Sequence, residues 1–336
     1  MPIPQSVSAI IVNYEGGELL VDCVAALDTQ TGLSETIIVD NSSADGSTAA
    51  AVARFPQVKI VRPGSNIGFA GGGNVGAGAA SGDLLLFLNP DVVLPPGSVE
   101  ALASEFMDPL AGVVGPPIAL AASDATEYGC TLDPIGSPVG LSHPAAPLFV
   151  SGCALMTRAE LFHELGGFDE RFFMFMEDAD YCWRVLLCGY DVRVTEHPTV
   201  WHKGGGVTPG GYITPAGVTS TPFRIPLRER NTLAMLLKCY SFPFVVLIVP
   251  FYIGQSMATA AALAAVGERS TAKGVIGGLS WNARELRRTV ALRRDAQRSR
   301  RISERMILRR MYRGVWKLDL LRRFGMPMIR QNGPSS

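Results

Sequence analysis

The sequence predicts an α/β fold organised around a mostly parallel, doubly wound sheet, and three observations carry that expectation. Short runs such as Val7–Asn13 (VSAIIVN) and Leu84–Leu88 (LLLFL) are apolar on successive residues. A strand with one wet face alternates, so continuous apolarity marks a strand covered on both sides. Helix-type segments separate these runs, giving the βαβαβ order of a parallel sheet. Acids and amides follow directly on two strands, at Asp40 and at Asn89-Pro90-Asp91, where an open α/β sheet carries its ligand groups.

In chain order, the strand at 7–13 leads into a helix over 19–27. A second strand, 36–39 (TIIV), ends at Asp40. The polar loop Asn41-Ser42-Ser43-Ala44-Asp45-Gly46-Ser47, rich in capping residues, then precedes an alanine-rich helix. A third strand falls at 58–61 and a fourth at 84–88. Between these two, residues 71–76 (GGGNVG) formally satisfy GxGxxG, and Asp91 follows about twenty residues on. That fingerprint needs its first glycine at the turn leaving a strand, whereas residues 62–70 intervene here. Its acid also belongs at a strand tip and not after Asn-Pro. The glycines are therefore read as letting backbone approach a ligand, or as starting a helix packed closely on the sheet, and not as a nicotinamide or flavin site.

With 336 residues, 47% hydrophobic and 18% charged, the chain is long enough for one large domain plus an appendage or for two small domains. Its six cysteines form no CxxC pair and no metal-ligand spacing, and no secretory signal is read ahead of Val7, so free thiols are expected. A formal net charge of zero conceals a division. Residues 1–223 hold 8 Lys/Arg against 24 Asp/Glu, whereas 224–336 hold 22 against 6. A nucleotide-binding α/β domain over 1–223 and a basic, partly apolar helical region over 224–336 are expected.

Within the basic region, residues 242–266 form a 25-residue run without a formal charge, long enough to cross a bilayer. Pro243, Pro250, Gly254, Gln255 and Ser256 interrupt it, and basic segments lie on both sides, against the positive-inside tendency. A helical hairpin or interfacial helices dipping into the cytoplasmic leaflet are favoured over a true span or a buried core helix, with the arginines of 284–323 facing an anionic membrane surface. Residues 285–310 space Leu286, Val290, Ile302, Met306 and Ile307 as one amphipathic helix. No zinc finger, RNP-like strand or aromatic series accompanies these arginines, so no nucleic acid is expected.

Residues 172–184 (FFMFMEDADYCWR) set Glu177, Asp178 and Asp180 among aromatic and sulfur-containing side chains. An ionised carboxylate there loses hydration worth several kcal/mol unless it is paired, metal-bound or used in proton transfer. Asp180 and Arg184 stand at i and i+4 and account for one acid as an ion pair. Two remain, as a structural cluster or as active-site acids.

Taken in order, VSAIIVNY (7–14), IIVDNSSADGS (37–47), NIGFAGGGNVG (66–76), LLLFLNPDV (84–92), residues 151–184 and VWHKGG (200–205) resemble the family 2 glycosyltransferases, and within them bacterial rhamnosyltransferase-like enzymes. The resemblance covers about residues 7–240. It implies a GT-A fold, a nucleotide-diphosphate sugar donor, Mg²⁺ or Mn²⁺, and inversion at the anomeric carbon. Asp40 matches the acid that reads the nucleobase, and Asn66, Gly68 and Asn74 lie in the stretch lining the donor pocket. Asp91 matches the DxD-type metal carboxylate, with Asn89 in place of the first acid and helping from the outer sphere. His202 matches a histidine that completes the metal site in some relatives. Asp178 matches the general base, with Glu177 tuning it or binding the acceptor, and Arg230 is placed to reach the diphosphate. The aromatic neighbours of these acids are read as the dry wall of an acceptor site.

Transfer of L-rhamnose from dTDP-rhamnose to a polyprenyl-diphosphate-linked glycan, in cell-wall or surface-polysaccharide synthesis at the cytoplasmic face of a bacterial membrane, is the leading implication. Other donors (UDP-galactose, UDP-galactofuranose, GDP-mannose) and a non-catalytic nucleotide-sugar-binding module are the alternatives. A processive synthase would carry several spans and a QxxRW-like motif, and a pyrophosphorylase would carry GxGxRxxP after the first strand; neither is present.

Overall fold

A computed structural model describes residues 6–120, 125–203, 213–214, 217–325 and 328–329. It forms two compact units, one of residues 1–130 and 140–207, the other of 131–139 and 208–336. The second thus takes in a short segment, 131–139, from within the acidic half, and no charge count marks that segment.

The first unit begins with β1 (Val7–Asn13), α1 (Gly17–Asp28), β2 (Leu33–Asp40), α2 (Ser47–Arg54), β3 (Lys59–Val61), α3 (Gly68–Ala79) and β4 (Leu84–Leu88). It continues through β5 (Val92–Val93), α4 (Ser98–Ser104), β6 (Ala111–Gly115), β7 (Ile118–Leu120) and β8 (Thr126–Glu127). β9 (Cys130–Leu132) and β10 (Pro138–Gly140), which pair with each other and fall mostly in the second unit, intervene before the first unit resumes with β11 (Ala154–Arg158), α5 (Ala159–Glu164), α6 (Glu177–Leu187), β12 (Asp191–Val194) and β13 (Val200–His202).

Seven strands form the main sheet in the order β12-β6-β11-β4-β1-β2-β3. All neighbours run parallel except β11, which is antiparallel to β4 and β6. Every residue of β1 and β4 is buried, as continuous apolarity requires. Val7, Ala9, Ile11, Leu84, Leu86 and Leu88 join one core with Leu20 and Val24 of α1. Burying each of the larger of these aliphatic side chains contributes about 1.5–3 kcal/mol. The chain winds from β1 to β2 and β3 on one side and to β4 on the other, so the crevice lies beyond the carboxyl ends of these strands.

The glycines of 71–76 lie inside α3 and pack it on the sheet. A Cβ on Gly72 would come within 2.7 Å of Val12 Cγ1, and one on Gly76 within 2.4 Å of Ile10 Cγ2. Of the two sequence readings, close helix–sheet packing is the one realised at these positions.

The second unit contains β14 (Ile213–Thr214), β15 (Gly217–Ser220), α7 (Arg224–Cys239), α8 (Phe242–Ala265), α9 (Arg269–Arg284), α10 (Leu286–Arg298), α11 (Glu304–Arg310), α12 (Trp316–Phe324) and β16 (Met328–Ile329). Two expectations need correction here. Residues 242–265 do not break into a hairpin; they form one 24-residue helix of mean hydropathy 1.7. Pro243 sits in the first turn, where its missing N–H is no loss, and the helix runs on through Pro250. The turn comes at Gly267 (φ +91°), and α9 returns against α8. Nor is 285–310 a single helix. It stops at Arg298 because Arg300 leaves the helical path to donate to Cys239 O (2.8 Å), while Arg293 and Gln297 also donate to the last carbonyls of α7. Side-chain donors placed there satisfy a helix end that has no intrahelical partners.

Only Tyr252, Ser256, Ala260 and Leu263 of α8 are buried, at a helical spacing that marks one inward stripe. The stripe is held by Glu229 of α7, buried, whose Oε2 accepts from Tyr252 (2.9 Å) and Ser256 (2.8 Å) while Oε1 meets Lys317. Burial pushes the Glu229 carboxyl up, but the Lys317 charge and these hydrogen bonds outweigh it and hold the group below its ordinary value. Phe242, Val246, Leu247, Phe251, Ile253 and Met257 are exposed.

Candidate active site

Register brings Asn13 and Asp40 side by side at the ends of β1 and β2. Asn13 Nδ2 donates to Ser43 (3.1 Å), Ser47 (2.9 Å) and Thr48 (3.2 Å), tying the first loop to the second. Gly17 N donates to Asp45 (2.7 Å) and Ala44 N to Glu15 (2.8 Å), and Glu15 and Ser42 take left-handed backbone (φ 51° and 65°). Left-handed non-glycine residues persist only where their surroundings over-determine them. Asp40, nearly buried, accepts from Ser43 N at 3.0 Å and meets Arg62 Nε at 3.4 Å.

Asn66 Oδ1 accepts from Gly68 N (2.9 Å), and Gly68 itself has φ +74°. A Cβ there would fall 2.2 Å from Phe173 O, the carbonyl that accepts from Ala70 N at 3.1 Å. Asn41 Nδ2 donates to Gly68 O (2.9 Å), so this one glycine joins the β2 loop to the segment before α6. Asn74 has other work than the donor-lining role expected of it. Its Nδ2 donates to Phe168 O and its Oδ1 accepts from Phe168 N, both at 2.9 Å, clamping a main-chain segment.

Asp91 and His202, remote in sequence, meet because β13 pairs antiparallel with β5, opposing His202 to Val92. The Asp91 Oδ1 to His202 Nε2 distance is 3.3 Å, and Lys203 N donates to Asp91 O. Gly204 and Gly205 of the VWHKGG motif lie outside the described residues.

Phe173, Phe175 and Met176 all have φ near +70°, a strained approach to α6. Asp178 stands in the first turn of that helix, where backbone dipoles favour an anion. Its Oδ2 accepts from Gly152 N (2.9 Å) and its Oδ1 from Ala179 N (2.7 Å). The next residue, Cys153, accepts from Asn89 N through its carbonyl at 3.0 Å. One residue step, Gly152 to Cys153, thus connects the Asp178 carboxylate to the turn bearing Asp91. Burial, with Asp91, Glu127 and Asp178 nearby, pushes the Cys153 thiol far up, which leaves it no nucleophilic part.

Glu177 is buried, while Asp180 pairs with Arg184 at 2.9 Å. Arg184 also donates to Leu165 O and Gly167 O, so this pair braces the preceding loop. The aromatic wall expected around the acids is a correction. Phe172, Tyr181 and Trp183 are core residues, and Tyr181 packs on Phe162 and Phe168 with ring centroids 5.1 and 5.6 Å apart. Of the aromatic residues in 172–176, Phe173 and Phe175 alone are half-buried. Arg230 is engaged in the second unit, where it stacks on Trp281 (4.6 Å) and donates to Asn231.

Sequence reasoning missed Gly152, Cys153 and Glu127. The first two act through backbone, and Glu127 lies in a two-residue strand with no motif around it.

Asp91, in the turn before β5, and His202, at the end of β13, present an oxygen and a nitrogen donor, a pair that suits Mg²⁺ or Mn²⁺ when phosphate oxygens and water complete the shell. Among the described residues no third His, Cys, Asp or Glu joins them.

Residues 8–166 match the profile of glycosyl transferase family 2. The chain is 30% identical over 242 residues to an N-acetylglucosaminyl-diphospho-decaprenol L-rhamnosyltransferase of Mycobacterium tuberculosis, an alignment covering 58% of this chain and 75% of that one. Its fold is similar to a crystal structure of GalNAc-T7 with UDP, GalNAc and Mn²⁺ (TM-score 0.59, 14% identity), covering 84% of this chain and 57% of that one. It is also similar to S. aureus TarS 1–349 (TM-score 0.51, 14% identity; 87% and 89% covered). Profile, relative and fold agree: the chain is a glycosyltransferase of GT-A fold and belongs to glycosyl transferase family 2.

Proposed function

We propose that the protein is an inverting, metal-assisted transferase that moves L-rhamnose from dTDP-rhamnose to a hydroxyl of a polyprenyl-diphosphate-linked glycan at the cytoplasmic face of a bacterial membrane. The observation that carries the chemistry is the connection of the Asp91–His202 pair, through Asn89 and Cys153, to Gly152 and the Asp178 carboxylate. In-line displacement needs a charge-stabilising group at the departing diphosphate and a proton acceptor on the opposite face of the sugar. Asp91 and His202 would hold Mg²⁺ or Mn²⁺, whose Lewis acidity favours departure of the diphosphate. Asp178, aimed by two backbone N–H groups, takes the proton of the acceptor hydroxyl as the glycosidic bond forms. Asp40 and the cross-linked loops of Asn13 and Ser43 receive the nucleoside. Glu177 supports Asp178 from its buried position, and Arg230 carries no part of the proposal.

The L-rhamnosyltransferase relative supports both the sugar and the decaprenyl-type acceptor. A thermal-shift panel of nucleotide sugars with Mn²⁺ tests the donor. dTDP-rhamnose should give the largest stabilisation; a larger response to UDP-galactose, UDP-galactofuranose or GDP-mannose would replace it.

A lipid-linked acceptor places the reaction at a membrane, and α8 supplies the matching surface. Its outward residues are apolar, and Arg287, Arg288, Arg294, Arg298, Arg301 and Arg305 on the following segments are exposed. The Glu229 clamp on Tyr252 and Ser256 keeps α8 against α7, which favours lying in the interface over spanning it. In a flotation assay, liposomes containing anionic lipid should carry the full chain but not one truncated near Ser241. Equal flotation of the two would remove the docking assignment.

A further inference from the structure

Glu127 is an acid that the reaction above leaves without a task. Strand pairing fixes the side it faces. Val200 of β13 opposes Ile118 of β7, and Ile118 opposes Glu127 of β8, so the three share one face of the four-stranded sheet β5-β13-β7-β8. His202, two residues beyond Val200, is on that face too. Trp201 and Thr126 take the other, and Trp201 is 59% exposed. Val200 and Ile118 are buried, so the shared face is the inner one.

Room has been left for the carboxyl. A Cβ at Gly140 would lie 2.5 Å from Glu127 Oε2, and Tyr128 N and Leu141 N bond to Leu141 O and Gly129 O, holding 140–141 alongside. The Cys130 thiol lies beside Glu127. Among the described residues, no Lys or Arg forms an ion pair with it. Burial raises its carboxyl above the ordinary range; Asp178 adds to this, while Cys130 and His202 oppose it, so both site groups lie within electrostatic reach. A half-buried acid without a cation, on the inner face that also carries His202, is open to a ligand entering the site.

We propose that Glu127 forms the acceptor subsite: its carboxyl hydrogen-bonds a hydroxyl of the acceptor sugar and so aims the attacking hydroxyl at Asp178. The direction follows from the displacement, because the nucleoside and diphosphate lie on the Asp40 and Asp91 side and the acceptor must approach from the side of the base. Glu127 is a binding and positioning group here; the proton goes to Asp178. The inference rests on the transferase reading.

The test uses the full chain and its Glu127→Gln and Glu127→Ala variants, with polyprenyl-diphosphate-linked N-acetylglucosamine as acceptor and dTDP-rhamnose with Mn²⁺ as donor. Donor affinity by calorimetry and slow donor hydrolysis should match the wild type. In Glu127→Ala the acceptor KM should rise, or kcat fall, by about tenfold or more, the worth of one hydrogen bond to a polar partner. Glu127→Gln, which keeps size and hydrogen bonding, should recover part of the loss and guards against misfolding. An unchanged acceptor KM and kcat in both variants, or an equal loss of donor affinity, overturns the subsite. A wild type that neither binds nor turns over dTDP-rhamnose would instead overturn the proposed rhamnosyl transfer.

Discussion

Asp178→Asn should bind donor as tightly as the wild type and transfer sugar about 10²–10⁴-fold more slowly, the usual contribution of a positioned general base. The replacement is nearly isosteric, and its carbonyl oxygen still accepts from Gly152 N, so α6 and the strained approach through Phe173 and Met176 stay in place. Lost are the capacity to take a proton and the second acceptor oxygen, which in the wild type receives Ala179 N. Removing the whole side chain would also free Gly152 N and disturb the Cys153 carbonyl that holds Asn89, confounding chemistry with position. Calorimetry with donor and Mn²⁺ checks the first half of this expectation and single-turnover transfer the second. Near-normal turnover would take the base assignment away from Asp178.

Asp91→Ala should abolish the metal dependence of donor binding. In the wild type, Mn²⁺ should tighten the donor; in the variant, His202 remains as a single nitrogen donor, and affinity with Mn²⁺ should fall by about tenfold or more, to the value in chelator. Asp91 is nearly buried, so Asp91→Asn, which keeps its volume, is the companion variant. A full Mn²⁺ response in both would place the metal elsewhere. Calorimetric titrations with and without Mn²⁺ read this without any turnover.

How far the sequence foretold these sites depends on the kind of interaction. Residues of β1 and β4 are buried on both faces, and that burial writes itself into the chain as uninterrupted apolarity. Asp40 and Asp91 were legible because strand ends carry ligand groups whatever the topology. The pairing of β5 with β13 was not, because two short strands distant in sequence leave no periodic trace, and only the resemblance joined His202 to Asp91. Asn74 looked like a pocket residue from its motif, yet its amide clamps Phe168, a contact no local pattern encodes. The aromatic residues near Asp178 were misassigned for a similar reason: a ring in a core and a ring lining a cleft have the same composition. In α8, Pro250 and Gly254 argued for a break, but contacts with α7 and α9 hold the helix, tertiary packing overriding local propensity.

The central claim, transfer of a sugar onto a lipid-linked acceptor with Asp178 as base, is tested most directly by following label from dTDP-rhamnose into the organic phase. The wild type with Mn²⁺ and polyprenyl-diphosphate-linked N-acetylglucosamine should yield labelled lipid, chelator should suppress it, and Asp178→Asn should slow its formation by about 10²–10⁴-fold. Label that stays in water as free sugar, or lipid labelling at an undiminished rate in Asp178→Asn, would contradict it.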